Sequence, residues 1–213
     1  CDVCGPRLEQ AAQACRAEQP GIELATLGSY RELLELDLHG VLIATPVHWH
    51  AQMALEALQA GLDVYVEKPL SNLLSEALAV ERAVREGPQI LQVGTQMLRE
   101  PKYALAKQLI ASGAIGRPTS AQTSYCRNSR EGEWLYHIDP SVQPGVNLDW
   151  EAWCGPLAPE PWNPKVYHRW RRYRKFSTGI LDDLLVHVMT PLVWAADPGW
   201  PVRVTAAGAR LVA

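Results

Sequence analysis

The sequence predicts an α/β chain in which a doubly wound parallel sheet precedes a region of different character. Two observations support this prediction. Up to residue 96, short apolar runs alternate with helical patterns of about 10–15 residues, and after Gly94 that alternation stops. The 213 residues are 47% hydrophobic with a formal net charge of −3, a composition typical of globular proteins. The charge disfavours a general nucleic-acid binder, and the absence of an apolar run of about 18 residues argues against a membrane span.

Helices and strands are predicted to alternate in the first part of the chain. The apolar run 41–44, bounded by Gly40 and Pro46, is typical of a buried parallel strand. Ser29 is expected to cap one helix, and Gly61 is expected to end the next. The predicted strands are residues 22–26, 41–44, 64–66 and 90–93, and the predicted helices are residues 6–18, 29–36, 48–60 and 71–85.

The second part of the chain has a different pattern. Helices are predicted at 101–112 and 179–194, and strands at 117–126 and from 202 to 206. Seven of the eight tryptophans follow residue 130, and the segment 128–170 that holds most of them has little periodicity. We expect that segment to be a long ordered excursion over a sheet face. The predicted domains are therefore residues 1–96 and 97–213.

Cysteine and histidine spacing predicts no metal site. Cys1 and Cys4 form a C-x-x-C without a second pair, and His48 and His50 lack a nearby carboxylate or thiol. The five scattered cysteines do not form a disulfide framework and favour a reducing compartment. The sequence thus predicts a cytoplasmic protein, with an upstream export signal left open.

Asp2 stands where a dinucleotide-binding unit would place its acidic residue, although no G-x-G-x-x-G motif occurs in the chain. That acid ends the second strand, about 20 residues after the glycines, and binds the adenosine ribose. If this is its role, the first strand and the glycine loop lie upstream of Cys1. The alternative, which the local sequence alone favours, is that Asp2 is a solvated turn residue.

A longer motif resembles a known family. Residues 41–71 read VLIATPVHWHAQMALEALQAGLDVYVEKPLS, with Thr45-Pro46, His50, Gly61 and Glu67-Lys68-Pro69-Leu70 at diagnostic positions. This pattern resembles the N-terminal domain of the glucose–fructose oxidoreductase, inositol dehydrogenase and MocA (Gfo/Idh/MocA) family. QVGTQ at 92–96, LIASGAIGRP at 109–118 and LDWEAWCGP at 148–156 extend the resemblance over nearly the whole chain.

The resemblance implies an NAD(P)-dependent oxidoreductase that acts on a sugar, polyol or sugar-like substrate. It also implies a Rossmann-type first domain that lacks its first strand and an incomplete α+β second domain with a mainly antiparallel open sheet, through which copies of the chain would form a homo-oligomer. NAD is favoured over NADP because the Asp2 carboxylate would repel a 2′-phosphate, although Arg7 could soften that repulsion. Two alternatives stay open: an NAD-dependent glycosidase that oxidises its substrate transiently, and a dinucleotide-binding protein without turnover.

Lys68, Asp183 and His187 are the expected catalytic residues. Lys68 follows a predicted strand, at the sheet edge where α/β proteins bind ligands, and the resemblance places it beside the nicotinamide and the reacting hydroxyl. Asp183 and His187 are spaced i, i+4 on a predicted helix, and the resemblance makes His187 an acid–base oriented by Asp183. The alternatives are a surface lysine, a core histidine, or a motif displaced by one residue to Asp182. Leu185 departs from the glycine that is frequent at this position.

The resemblance also implies two sets of binding residues. Val47 replaces an asparagine that many relatives carry, which would weaken one cofactor contact. The basic cluster around Arg171 is expected to line the substrate mouth, to form a subunit contact or to be solvated. The expected cofactor contacts are Asp2, Arg7, Thr45, Pro46, His50, Glu67, Lys68 and Gln96, and the expected substrate contacts are Lys68, His168, Asp183 and His187.

Overall fold

The computed structural model describes residues 1–127 and 129–208, which fall into two compact units. One unit combines Cys1–Gly94 with Trp134–Thr178, and the other combines Thr95–Glu133 with Gly179–Ala213. This grouping differs from a simple division after residue 96, because 134–178 packs with the N-terminal segment. The two domains expected from the sequence stay a prediction for the whole protein.

The helices and strands follow the predicted order for most of the first unit. The strands are β1 (Gly40–Ile43), β2 (Asp63–Glu67) and β3 (Leu91–Gly94). The α-helices are α1 (Gly5–Glu18), α2 (Tyr30–Leu34), α3 (His50–Gln59), α4 (Leu74–Glu86), α5 (Pro101–Ala111), α6 (Trp150–Cys154), α7 (Pro164–His168) and α8 (Val186–Ala196). Short 3₁₀ turns cover Val47–Trp49, Gln96–Arg99 and Trp170–Arg172, and a π-helical turn covers Leu181–Leu185.

The three strands form a parallel sheet in the order β1-β2-β3. Ile43 pairs with Val66 and Glu67 pairs with Gly94, so the carboxyl ends of neighbouring strands lie side by side. This arrangement is the predicted Rossmann-type βαβ pattern, in which the edge at the carboxyl ends is the usual place for a ligand.

Small side chains let α3 pack closely against this sheet. Ala54 and Ala57 of α3 are fully buried, and Val66 of β2 is fully buried in the same apolar cluster. Val80 of α4, 1% exposed, completes the contact. Burial of such aliphatic side chains stabilises the fold by about 25 cal/mol per Å² of apolar surface removed from water.

The tryptophan-rich segment forms the second apolar cluster of the first unit, as an ordered excursion would. Its centre is Trp153, 4% exposed, which stacks on Trp150 with ring centroids 4.8 Å apart and contacts Phe176. Cys4 from the start of the chain is fully buried in the same cluster. The segment therefore packs with the first residues of the chain and forms a cluster separate from that of the sheet.

In the second unit, α5 packs against α8. The predicted helix 179–194 is interrupted at its start, because Leu181–Leu185 form a π-helical turn before α8 begins at Val186. Such a turn widens the helix by one residue and occurs frequently at functional sites.

Three predicted strands are wrong. Residues 22–26, 117–126 and 202–206 have no strand pairing in the structure, and in the described part of 97–213 no strand is formed. The expected antiparallel sheet of the second domain is therefore not confirmed. Alternation of polar and apolar residues is typical of a half-exposed strand, but a strand also needs a neighbour to complete its hydrogen bonds.

One helix start also differs from the prediction, because the helix expected from residue 71 begins as α4 at Leu74. Ser29 precedes α2 as expected, but its side chain makes no capping hydrogen bond. Of the residues that the structure describes, none belong to a helix long and apolar enough to cross a membrane.

Candidate functional site

The carboxyl ends of β1 and β2 present two short loops to the same edge of the sheet. Thr45 and Pro46 follow β1, and Lys68 and Pro69 follow β2. The Thr45 hydroxyl donates to the Met53 sulfur at 3.8 Å, which holds the threonine side chain against α3. The sheet register thus brings together two of the sequence-predicted loops.

His50 joins these loops from the first turn of α3. Its side chain is 2% exposed, Nδ1 lies 2.7 Å from the Pro69 carbonyl oxygen, and Nε2 lies 2.7 Å from the Thr45 carbonyl oxygen. Burial lowers the pKa of His50, whereas the two carbonyls and the Glu67 carboxylate oppose that shift. Both ring nitrogens are engaged by the backbone, and the expected contact of His50 with a cofactor stays a prediction.

Glu67 and Lys68 end the second strand in a half-buried position. The Lys68 backbone N–H donates to the Glu67 carboxylate at 3.3 Å. Gly94 leaves room for that carboxylate, because a Cβ at residue 94 would lie 3.0 Å from both of its oxygens and 2.8 Å from the Tyr65 hydroxyl. Gly94 at the end of β3 therefore leaves space for the Glu67 carboxylate that accepts from the Lys68 N–H.

A cavity of about 1480 Å³ lies within the first unit. The β1 strand and the Thr45-Pro46 loop form one wall, and residues of the tryptophan-rich segment form another. The structure brings five of the sequence-predicted site residues to this cavity, whereas His50, Glu67 and Lys68 are not among its lining residues. The five are Asp2, Arg7, Thr45, Pro46 and His168.

Asp2 and Arg7 face an aromatic pair in this cavity. One Asp2 carboxylate oxygen accepts from the Cys4 backbone N–H at 2.8 Å, and the Arg7 guanidinium lies 5.6 Å from the centre of the Tyr167 ring. The His168 ring packs edge-on against Tyr167, with centroids 4.8 Å apart. The negative charge of Asp2, the positive charge of Arg7 and the two aromatic rings therefore lie in the same part of the first unit.

His168 is 8% exposed, and its Nε2 has no hydrogen-bond partner among the described residues. Burial lowers the pKa of His168, and the nearby Arg7 charge lowers it further. The lowered pKa favours the neutral imidazole. Its predicted contact with substrate stays a prediction.

Sequence reasoning missed the role of His48 and Trp49. His48 Nε2 lies 2.9 Å from the Trp153 carbonyl oxygen, to which the Trp49 indole N–H also donates at 3.0 Å. The turn after β1 is thereby fixed to the tryptophan-rich segment. The one signal for this contact was the concentration of tryptophan in residues 128–170, which indicated an ordered segment without giving its partner.

The remaining predicted residues belong to the second unit. Gln96 begins a 3₁₀ turn, and His187 lies in the first turn of α8. Asp183 is 4% exposed within the π-helical turn, and its backbone N–H donates to the Gly179 carbonyl at 2.9 Å. The spacing of Asp183 and His187 therefore spans a change from π- to α-helix, which the i, i+4 argument did not anticipate. Their catalytic roles stay predictions.

Comparison with family models gives one match. Residues 2–95 match the model described as "Oxidoreductase family, NAD-binding Rossmann fold", which is the Gfo/Idh/MocA model. The match covers the three-stranded sheet with its helices and ends one residue beyond β3.

Curated relatives are similar over a longer part of the chain. Levoglucosan dehydrogenase from Pseudarthrobacter phenanthrenivorans is 36% identical over 143 residues, which are 67% of this chain and 33% of the relative. The NAD⁺-dependent scyllo-inositol 2-dehydrogenase of Bacillus subtilis is 37% identical over 102 residues, 48% of this chain and 30% of the relative. The chain therefore spans about a third of the length of these relatives.

Solved structures share the fold of most of the chain. An NAD-binding protein from Listeria innocua superposes with a TM-score of 0.57 at 19% identity, over 92% of this chain and 44% of that protein. An oxidoreductase domain protein from Kribbella flavida gives a TM-score of 0.55 at 25% identity, over 89% and 43% of the two chains.

Proposed function

Because residues 2–95 belong to the Gfo/Idh/MocA oxidoreductase family with its NAD-binding Rossmann fold, we propose that the protein is an NAD(P)-dependent oxidoreductase. The reaction is hydride transfer between the nicotinamide and a hydroxyl-bearing carbon of a sugar, polyol or sugar-like substrate. The observation that supports this proposal best is the cavity at the carboxyl end of β1, lined by Asp2, Thr45 and Pro46.

The residues of the cavity fit a dinucleotide. Its volume of about 1480 Å³ exceeds the roughly 300–1,000 Å³ of pockets for drug-sized ligands, so an extended molecule can be accommodated. The Asp2 carboxylate can accept from ribose hydroxyls, and Thr45 and Arg7 offer donors to polar or phosphate groups. NAD is favoured over NADP, since the Asp2 carboxylate would repel a 2′-phosphate.

When bound, the nicotinamide supplies the hydride acceptor or donor at its C4 atom. Lys68, held at the end of β2, would bind the reacting hydroxyl through its ammonium group and stabilise the developing negative charge on that oxygen. His187 would take up or return the hydroxyl proton, with Asp183 orienting the imidazole, and Gln96 would contact the cofactor. Glu67 would orient Lys68, and His168 would contact the substrate.

The substrate class follows from the similar proteins, whose names specify levoglucosan and scyllo-inositol as substrates. Both are polyhydroxylated rings with secondary alcohols. We therefore propose a cyclic sugar or polyol as the substrate of this protein. We also propose that the protein is cytoplasmic and forms a homo-oligomer.

The test measures the binding of NADH and NADPH by quenching of tryptophan fluorescence, followed by NAD(P)⁺ reduction at 340 nm with inositols and anhydrosugars. We expect NADH to bind at least tenfold more tightly than NADPH, and Lys68→Met to reduce kcat at least a hundredfold while NADH still binds. Failure of both dinucleotides to bind the folded protein would refute the proposal. Release of an aglycone without net NADH would show glycoside cleavage, and binding without any turnover would show a non-catalytic protein.

A further inference from the structure

His50 is buried at the junction of the two loops that the proposed function requires. Its imidazole is 2% exposed, and it spans the carboxyl ends of β1 and β2 by way of the Thr45 and Pro69 carbonyls, each 2.7 Å from a ring nitrogen. Pro69 directly follows Lys68, and Thr45 lines the cavity.

From this geometry we infer that His50 is a positioning residue, which fixes the Lys68 loop against the Thr45 loop instead of contacting a ligand. The inference rests on the proposed function for the role of Lys68. Two neighbouring parallel strands determine where the loops begin, but the backbone beyond β1 and β2 has left the sheet ladder. The buried imidazole supplies the cross-connection that the ladder no longer provides.

Each ring nitrogen serves a different loop. The bond from Nδ1 restrains Pro69, while on the other side of Lys68 the Glu67 carboxylate accepts from the Lys68 backbone N–H at 3.3 Å. The backbone of Lys68 is thereby restrained on both sides. The bond from Nε2 restrains Thr45, whose side chain is also held at Met53. We therefore expect loss of the Pro69 bond to affect the position of Lys68, and loss of the Thr45 bond to affect the cavity wall.

Carbonyl oxygens only accept, and a neutral imidazole has one N–H, so both bonds exist together only in the imidazolium form. Burial lowers the pKa of His50, the two carbonyls and Glu67 raise it, and Arg171 lowers it. His48 also interacts electrostatically with the ring. The lowered pKa favours the neutral ring, which donates to one of the two carbonyls, and below that pKa the ring donates to both.

Two amide substitutions separate the bonds. The amide nitrogen of His50→Asn takes the place of Nδ1 and keeps the bond to Pro69, whereas that of His50→Gln takes the place of Nε2 and keeps the bond to Thr45. A matched control is His48→Gln, at a site two residues earlier that is 6% exposed and whose Nε2 lies 2.9 Å from the Trp153 carbonyl. The control replaces a buried histidine whose Nε2 faces the Trp153 carbonyl instead of the Thr45 or Pro69 carbonyl.

The experiment measures kcat, the KM for NAD⁺ and the Kd for NADH in the whole protein. We expect His50→Gln to lower kcat roughly ten- to a hundredfold, as small displacements of a reacting group do, with the Kd for NADH within threefold of the parent. His50→Asn should keep kcat within threefold and raise the KM for NAD⁺, and His48→Gln should change neither constant. Equal losses of kcat in both His50 variants, or no loss in either, would overturn the inference.

A second measurement tests the role of His50 independently of the proposed function. Acetylation of Lys68 by a limiting amount of acetic anhydride, followed by mass spectrometry, reports the environment of its amine without any turnover. We expect the rate at Lys68 to change at least threefold in His50→Gln, with the rates at Lys102 and Lys165 unchanged. If the parent protein shows no turnover, the proposed function fails, and this rate alone decides the inference: an unchanged rate at Lys68 overturns it.

If His50→Gln does not fold, the parent is examined by ¹H–¹⁵N NMR. A His50 ring N–H protected from exchange supports the inference, and the absence of such a protected N–H overturns it.

Discussion

Burial keeps His48 neutral, and we expect its protonation at low pH to destabilise the protein. Its Nε2 donates to the Trp153 carbonyl, its Nδ1 has no partner among the described residues, and burial lowers its pKa from 6.5 to about 4. The unfolded chain therefore binds a proton at a higher pH than the folded protein does. Stability contributed by neutral His48 is present above pH 6.5 and is lost as the pH falls from 6.5 to about 4.

We predict that the free energy of unfolding falls by roughly 3 kcal/mol over that range because of His48 alone, at about 1.4 kcal/mol per pKa unit. Urea unfolding at pH 7 and pH 4.5 checks this, with His48→Gln as the reference because its amide keeps a donor for the Trp153 carbonyl. The wild type should lose more stability than the variant on acidification. Equal losses in the two proteins would contradict the prediction, since carboxylates and other histidines are common to both.

The sequence predicted where the candidate residues lie more readily than it predicted their contacts. The Thr45-Pro46 and Glu67-Lys68-Pro69 positions at two neighbouring strand ends follow from the βαβ pattern, and the structure places them there. The two contacts of His50 do not follow from the sequence, because both are made to backbone carbonyls, which every residue carries. A histidine that binds the backbone and one that binds a ligand look alike in a sequence.

The junction between α6 and the turn Val47–Trp49 depends on the absence of a side chain at Gly155. This glycine ends α6 with φ +60°, and a Cβ there would lie 2.2 Å from the Trp49 ring. Trp49 is itself 8% exposed and its indole N–H donates to the Trp153 carbonyl, so the ring cannot move aside without losing that bond. A methyl group at position 155 must therefore displace one of the two elements.

We predict that Gly155→Ala lowers the free energy of unfolding by about 2–4 kcal/mol, combining overpacking with the cost of a positive φ. Gly145→Ala is the matched control in the same unit, because its φ is +73° but nothing lies within 4 Å of its Cβ position. The control should cost only about 1–2 kcal/mol. Similar denaturation midpoints for the two variants would show that the contact with Trp49 is not tight.

At the level of elements, the sequence predicted the helices well and the isolated strands poorly. Helices contain their own hydrogen bonds, so an apolar face and flanking glycines suffice to locate α3 and α5. The strands 117–126 and 202–206 were predicted from alternation alone, which does not reveal whether a pairing neighbour exists. The π-helical turn at Leu181–Leu185 was missed for a related reason, since i, i+4 spacing assumes α-helical geometry.

For the molecule as a whole, the main difference from expectation is the grouping of Trp134–Thr178 with Cys1–Gly94. Composition marked the tryptophan-rich segment as distinct, and the sequence-based division therefore assigned it to the second domain. Its aromatic residues instead pack around Cys4, and Tyr167, His168 and Trp170 line the cavity with Asp2 and Arg7. The predicted cofactor contacts all lie in the first 96 residues, so that set contains none of the tryptophan-rich residues that line the cavity.

This grouping predicts where a dinucleotide protects the protein from hydrogen exchange. A ligand that binds the folded state suppresses opening of the residues that hold it, so protection maps the site. If the cavity is the dinucleotide site, saturating NADH should slow amide exchange in 149–156 and 167–171 as well as near Asp2 and Thr45. The control is AMP, which should protect fewer of these segments because it lacks the second nucleotide. Protection by NADH confined to residues 1–96 would show instead that the tryptophan-rich segment does not contribute to binding, and would favour the division that composition alone predicts.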